Sequence, residues 1–354
     1  MKTINIIEKY LTTLSKAFKK QPLLPIVLFG LLISLAGILP HIGLMKFGTM
    51  GTLSLVVIYT VVALGLNILM GFSGLISLGT AGFVGVGALG TASLLNAGVP
   101  LEISVLIVLV IAGSVGALIG LFSLKVDGIY LAIATLFVGE ILTQIFTQVE
   151  SLFGPGNTVD SNPVTLFGFI TLSNYPQDER SMLFILLVLF MVLAMIVMHN
   201  IVKSRTGRAL MAMSRSEHAA QAMGISLIKY RLTAFITATL YATVGGILYA
   251  IYNPGVPKEG WSLGLSLFII AMVVVGGFKS IFGTFIGAFI IYGVPNLFLK
   301  ELFGDVSYIM SGVLIILVIL FYPHGLVYIG YDIKKLYFKW KLHLQKKVVK
   351  SDEK

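Results

Sequence analysis

The chain consists of long apolar runs separated by short polar or Gly/Pro-containing segments. Ten runs lie at residues 23–39, 51–70, 76–96, 101–122, 129–149, 182–199, 231–251, 264–276, 281–299 and 307–322. A helix of about 20 apolar residues crosses the roughly 30 Å of bilayer hydrocarbon and satisfies its own backbone hydrogen bonds. The pattern therefore predicts an all-α, polytopic integral membrane protein of about ten transmembrane helices. The run at 264–276 is short, and a re-entrant segment there would change the count, which ranges from eight to ten.

Composition supports the membrane assignment. Of the residues, 57% are hydrophobic and 11% are charged, whereas soluble domains carry roughly 25% charged residues. In residues 1–22, apolar side chains recur at helical spacing among lysines, which predicts an amphipathic segment at the membrane surface. No small-residue cleavage site follows the first apolar run, so we expect a retained span and not a signal peptide.

Basic residues predict the orientation. Ten spans place both termini on one side, together with the loops at 71–75, 123–128, 200–230 and 277–280. Of the 25 Lys and Arg residues, 21 lie on this side, and only Lys46, Arg180, Lys258 and Lys300 lie on the other. Because Lys and Arg concentrate in cytoplasmic loops, both termini are predicted to be cytoplasmic, with a basic tail at 323–354. Orientation also explains the net charge of +10, so nucleic acid is not an expected partner.

Two loops of the predicted transmembrane domain, residues 23–322, are long. The external loop at 150–181 is rich in Pro, Gly, Asn and Ser, which predicts an irregular surface segment. It could face a solute-delivering partner or be a solvated connector. In the internal loop at 200–230, an Ala- and Met-rich stretch runs from Ala209 to Met223 and is followed by Gly224 as a C-cap. This stretch predicts one short amphipathic helix beneath the membrane.

The segment Glu217-His218-Ala219-Ala220-Gln221-Ala222-Met223-Gly224 is the most informative motif. On composition alone, it is compatible with a simple connecting helix that has no partner. Its order of Glu-x-Ala-Ala, three residues and Gly resembles the coupling loop of ABC importer permeases, in which a short helix sits in a cleft of the ATPase subunit. The resemblance implies a coupling role for Arg205, Gly207, Arg208, Arg215, Glu217, Ala219, Ala220 and Gly224.

Three further segments extend the resemblance over residues 50 to 322. The segments Gly65–Gly79, Ala134–Leu142 and Gly276–Ala288 look like those of branched-chain amino-acid permeases. The external loop with Gly154-Pro155-Gly156-Asn157 looks like that of the larger of the two permease subunits in such importers.

The resemblance implies the rest of the assembly and its substrates. A second homologous permease subunit, two ATP-binding subunits and an external substrate-binding protein would accompany this chain in a bacterial inner membrane. The solute would be leucine, isoleucine or valine. Relatives in the family also move urea or short amides, and a more distant branch moves sugars.

The chain has no phosphate-binding loop of the form Gly-x-x-x-x-Gly-Lys-Ser/Thr. The nearest approach, Gly276-Gly277-Phe278-Lys279-Ser280, lacks the Gly before Lys. We therefore expect a permease subunit that is not an enzyme and has no cofactor, with ATP bound by partner subunits. The pattern from Gly85 to Gly90 fits a dinucleotide fingerprint but lies inside an apolar span. Close helix packing is instead predicted for those glycines and for two further motifs, Gly116-x-x-x-Gly120 and Gly283-x-x-x-Gly287.

Polar residues inside spans are candidates for the translocation path. An ionised side chain at a helix centre costs about 2.5–3.5 kcal/mol on insertion scales, so it usually faces protein or water. The candidates are Glu140 and Gln144 in one span, and Asn67, Ser73, Ser77 and Thr80 in a Gly-interrupted stretch where a helix could break. Packing roles within the bundle remain the alternative. A self-sufficient secondary transporter or channel would favour several such ionisable groups, and Glu140 is the clearest one.

Overall fold

A computed structural model describes residues 23–40, 46–126, 128–154, 156–160, 164–166, 170–171, 177–322 and 325–328. The predicted amphipathic segment at 1–22 and most of the predicted basic tail lie outside the described residues.

The described residues are mainly helical. Its α-helices are α1 (Leu24–Ser34), α2 (Phe47–Leu66), α3 (Thr80–Asn96), α4 (Leu101–Phe122), α5 (Ile129–Gln148), α6 (Glu150–Phe153), α7 (Gln177–Lys203), α8 (Arg205–Met213), α9 (Glu217–Ala222), α10 (Leu227–Tyr252), α11 (Leu263–Gly276), α12 (Ile281–Ala288), α13 (Lys300–Phe303) and α14 (Ser307–Phe321). Wider π-helical turns continue α2 at Asn67–Phe72 and α12 at Phe289–Gly293 and Pro295–Leu299. Short 3₁₀ turns lie at Leu35–Gly37, Gly304–Val306 and Leu326–Tyr328.

The lengths and apolar character of the helices confirm a multi-pass membrane protein. Within the part of the chain that the structure describes, six helices are long and apolar enough to cross a bilayer: Gly48–Phe72, Leu101–Phe122, Ile129–Gln148, Ser181–Lys203, Leu227–Tyr252 and Ile281–Phe303. Leu24–Gly37, Thr80–Asn96 and Leu263–Gly276 are shorter apolar helices. Together with α14, these helices match the ten predicted runs, while the number that span the membrane remains a prediction.

The external loop is less irregular than the sequence predicts. Strand β1 (Thr158–Asp160) pairs antiparallel with β4 (Gly255–Pro257), which follows α10, and β2 (Thr165–Leu166) pairs with β3 (Ile170–Thr171). The buried Lys258 donates from its amine to the carbonyl of Gly154. In the described part of this loop, backbone pairing joins β1 to a strand distant in sequence, and that pairing cannot be read from the Gly- and Pro-rich composition.

Helix α10 is the centre of the bundle and packs against α2, α3 and α4. At its crossing with α3, Gly87 and Gly246 face each other, and a Cβ atom added to Gly246 would lie 3.0 Å from Gly87 Cα. The close packing predicted for the two Gly-x-x-x-Gly motifs is also confirmed. Gly116 and Gly120 lie against α10, and Gly283 and Gly287 lie against α11.

The loops that the sequence places on one side lie together at one end of the bundle, here called the basic end. Gly74 lies against Ser214, and the side-chain oxygen of Asn67 accepts a hydrogen bond from the backbone of Lys279. Arg231, near the start of α10, donates to the carbonyl of Ser123, just after α4. The grouping of loops at 71–75, 123–128, 200–230 and 277–280 is therefore confirmed. Which side of a membrane this end faces remains a prediction.

The single helix predicted over 209–223 is wrong, because the segment forms two helices, α8 and α9. The side chain of Ser216 caps α9 by accepting from the backbone of Ala219 at 3.3 Å. Ser residues compete with helical hydrogen bonds and so favour such breaks. The predicted C-cap is confirmed: Gly224 has a φ of +80°, and the next amide, of Ile225, donates to the Ala220 carbonyl at 3.0 Å.

Candidate functional site

Residues 73–79, between the π-helical end of α2 and the start of α3, enter the bundle without helical structure. Gly74 lies at the basic end, and Gly79 packs against Thr135 and Gly139 in the middle of α5. Residues 73–79 therefore carry irregular backbone to the middle of α5, a helix long and apolar enough to cross a bilayer. Irregular backbone within a bilayer is tolerated only when it is enclosed by protein or faces a cavity. The predicted helix break is present. It also means that α3 begins at Thr80 and not at residue 76.

Hydroxyl groups on neighbouring helices accept hydrogen bonds from the backbone at the end of this break and at the start of α3. Thr135 Oγ1 accepts from the backbone N–H of Leu78 at 3.0 Å, and Ser266 Oγ accepts from that of Ala81 at 3.0 Å. Both hydroxyl residues are buried. Sequence reasoning did not assign these supporting roles, because they depend on which helices meet. A hydroxyl residue within an apolar span is the only sequence signal for them.

Ser77 and Thr80 line a narrow crevice beside the break, together with two further hydroxyl residues, Thr135 and Thr239. The apolar part of its wall is formed by Leu66, Leu69, Phe83, Ile119, Phe235, Ala238 and Ala242. The crevice has room for about one water molecule. It is therefore closed to a solute of amino-acid size in this conformation, although its hydroxyl groups could bind polar atoms if the helices moved apart.

Asn67 precedes the break and Ser73 is its first residue, and neither lines this crevice. The amide of the fully buried Asn67 donates to the Ser280 carbonyl at 3.1 Å and to Thr284 Oγ1 at 3.0 Å, and accepts from the Lys279 backbone at 3.0 Å. Ser73 Oγ donates to the Leu69 carbonyl at 2.5 Å. Asn67 thus ties the π-helical end of α2 to the segment between α11 and α12.

Glu140 and Gln144 lie on the opposite, exposed face of α5. Together with Gln148 they form a polar stripe, because residues four apart share one helix face. The buried face of the same helix carries Thr135, Gly139, Thr143 and Phe146. The structure therefore separates the two predicted groups of path residues. A carboxylate on an exposed membrane helix is costly, which indicates that this face contacts water or another protein.

The predicted coupling residues divide by exposure. Arg205, Arg208, Arg215, Ala219 and Gly224 are exposed, whereas Gly207 and Ala220 are buried against the bundle. Next to them, Met223 is 83% exposed, and Ile228 is 57% exposed. Ile228 lies in the first turn of α10, whereas Met223 lies immediately after α9, where an exposed apolar side chain is typical of a protein-binding surface.

Glu217 points toward the bundle and not outward with the exposed coupling residues. Its Oε2 accepts from Nη2 of Arg231, and its side chain is 32% exposed, whereas that of Arg231 is 4% exposed. Sequence reasoning treated Arg231 only as a basic residue at the start of a span. An arginine at that position is the available sequence signal, but its partner is set by the path of the loop.

Comparisons with known proteins add the following matches. Residues 48–319 match the family model described as the permease component of branched-chain amino acid transport systems. The high-affinity branched-chain amino acid transport system permease protein LivM of Escherichia coli is 30% identical over 299 residues, which are 79% of this chain and 70% of that protein. The probable branched-chain amino acid transport permease protein LivH of Methanocaldococcus jannaschii is 29% identical over 60% of this chain and 64% of that protein. The fructose import permease protein FruG of Bifidobacterium longum is 25% identical over 54% of this chain and 58% of that protein. No solved structure matches the chain significantly.

Proposed function

Because the chain belongs to the permease family of branched-chain amino acid transport systems, we propose that it is a transmembrane subunit of an ABC importer in a bacterial inner membrane. It would move leucine, isoleucine or valine inward by alternating access, driven by separate ATPase subunits. The observation that carries this proposal is the capped helix α9 with the exposed Met223 beside it at the basic end.

The surface of α9 suits a docking role. Ala219 and Ala222 are exposed, and their small side chains allow another protein to approach the helix closely. Met223 supplies a flexible apolar side chain of the kind that fills irregular pockets. Two ATP-binding subunits would bind here and on the corresponding loop of a second permease subunit.

We expect Met223→Glu to weaken retention of the ATPase subunits about 10-fold or more when they are co-expressed and purified through this chain. A charge placed in a desolvated apolar contact costs about 2 kcal/mol or more at an interface hot spot. Met223→Leu keeps the apolar contact and should bind as the unchanged chain does. Ala97→Glu adds the same charge at an exposed position at the opposite end and should also bind normally. Full ATPase retention by Met223→Glu would argue against this docking surface.

The polar stripe on α5 suggests where a second permease subunit and the solute path lie. We propose that the exposed face carrying Glu140 and Gln144 faces that subunit, and that solute passes along the polar stripe between the two chains. The LivH protein of M. jannaschii, which also resembles this chain, supports the existence of a second permease type. The crevice beside Ser77 and Thr80 would open as the helices around the break move.

The chain contains no cysteine, so a single added cysteine can test this path. In the assembled importer, Gln144→Cys should react with a membrane-impermeant maleimide, and its labelling rate should change when ATP and substrate are added. Val110 on α4 is 68% exposed on an apolar face, so Val110→Cys should remain unlabelled in lipid. If Gln144→Cys is as unreactive as Val110→Cys in every state, the stripe does not line a water-accessible path.

Branched-chain amino acids are the proposed substrates because of the family and the LivM protein of E. coli. Sugars are a second candidate substrate class, since the fructose import permease protein FruG also resembles this chain. Uptake assays with radiolabelled leucine and fructose, each in the presence of the external binding protein, distinguish the two. Uptake of fructose without uptake of leucine would overturn the substrate class and leave the transport mechanism unchanged.

A further inference from the structure

One guanidinium group joins three elements at the basic end. Arg231, in the second turn of α10, donates from Nη2 to the carboxylate of Glu217, the first residue of α9. It also donates from Nη1 to the carbonyl of Ser123, immediately after α4. Ser123 is fully buried, and its hydroxyl donates back to the Gly120 carbonyl at 2.7 Å. Arg231 thus connects α9 to the ends of two membrane helices.

Those two helices form one wall of the crevice in the membrane. Ile119 from α4 and Phe235, Ala238 and Thr239 from α10 all line it. Ile119 lies one turn from Ser123, and Phe235 lies one turn from Arg231. A displacement of α9 at the surface therefore has a short, hydrogen-bonded route to the residues that keep the crevice closed. Rigid elements linked by such networks are the physical carriers of coupling between sites.

The planar fork of arginine suits this position. Two donors on different nitrogens reach two acceptors on different elements at once, which the single ammonium group of lysine cannot reproduce in the same geometry. The Arg231 side chain is buried although Glu217 is partly exposed, so removal of Glu217 would leave an uncompensated charge in a low-dielectric site. The contact is therefore stiff enough to transmit motion and costly to break.

We propose that Arg231 is a positioning residue that couples ATP hydrolysis to the opening of the crevice, and that Glu217 acts in this coupling through Arg231 and not through direct contact with the ATPase subunit. This proposal rests on the proposed function. In it, the exposed face of α9 binds the ATPase, while the pair of Glu217 and Arg231 passes its movement to α4 and α10.

The test compares solute uptake per ATP hydrolysed in proteoliposomes that contain the complete importer. Arg231→Lys should retain the ATPase subunits and hydrolyse ATP but lower uptake per ATP about 5- to 150-fold, the usual range of coupling between sites. Glu217→Gln should lower the same ratio. The double variant should be no worse than Arg231→Lys alone, since the two residues act as one unit. Lys229→Gln removes an exposed positive charge two residues before Arg231 on the same helix and should leave the ratio unchanged.

The ratio separates coupling from folding and from docking, because it does not depend on how much folded or assembled protein is present. If Arg231→Lys does not fold, Glu217→Gln carries the test alone. Wild-type uptake per ATP in these variants would overturn the proposal, as would uptake that falls only in proportion to ATPase retention. Absence of any bound ATPase subunit on the unchanged chain would instead contradict the proposed function itself.

Discussion

Gly246→Ala is expected to give the largest loss of stability of the substitutions considered and to lower the unfolding temperature of the protein. A Cβ atom at this position would lie 2.8 Å from the backbone nitrogen of Ala88 and 3.0 Å from Gly87 Cα, and closer still to the Val84 carbonyl oxygen. These atoms belong to the backbone of α3, so no side chain can rotate away, and α3 and α10 must separate. Overpacking costs about 1–3 kcal/mol and occasionally more, and a clash between two backbones belongs at or above the upper end of that range.

The measurement is the temperature at which the detergent-extracted protein loses its monodisperse peak in gel filtration. Gly113→Ala provides a matched control, since it is also a glycine in a membrane helix, but its nearest new contact is Leu240 Cδ2 at 3.7 Å. It should unfold at the temperature of the unchanged protein or slightly above it, because alanine favours helix. An unaltered unfolding temperature in Gly246→Ala would show that α3 and α10 do not cross here at backbone contact.

Asn67→Leu is expected to give the second-largest loss of stability. Leucine has a similar size but cannot replace the three hydrogen bonds by which Asn67 joins the end of α2 to Lys279, Ser280 and Thr284. Each buried polar group left without a partner costs about 1–3 kcal/mol. The variant should therefore unfold at a lower temperature and also lose transport, since Asn67 begins the π-helical turns that lead into the break at residues 73–79.

Asn296→Leu is the control for this substitution. Asn296 also lies in a π-helical segment, but it is exposed, and its amide donates to the carbonyl of Tyr292 in the same helix at 2.8 Å. Its replacement should change the unfolding temperature little. Equal effects of the two substitutions would mean that Asn67 has no special role in joining the two segments.

The fold was largely predictable because the bilayer imposes a minimum apolar length on each helix. Each of the ten apolar runs contains a helix, and the close-packed glycines were also recognisable from their spacing. The start of α3 was misplaced because Leu75, Ile76 and Leu78 continue the apolar run although they lie in the break. Hydropathy reports that a residue lies in an apolar environment. Apolar residues in irregular backbone that is enclosed by protein therefore give the same signal as apolar residues in a helix.

The candidate site was only partly predictable. The motif from Glu217 to Gly224 predicted a short helix that ends at Gly224, and the caps at Ser216 and Gly224 explain why α9 is short, while its coupling role stays a prediction. The inward direction of Glu217 was not predictable, since its partner Arg231 lies 14 residues further on in another helix. Likewise, the sequence placed Glu140 in a span but could not tell which face of α5 would remain uncovered, because that depends on the packing of α3 against it.

Transport by reconstituted proteoliposomes tests the central claim most directly. The liposomes would contain this chain with the second permease subunit and the ATPase subunits, and the external binding protein would be added with radiolabelled leucine. The account predicts uptake only when ATP reaches the ATPase subunits at the basic end, and none when those subunits are omitted. Leucine uptake by this chain alone, driven by an ion gradient without ATP, would contradict it.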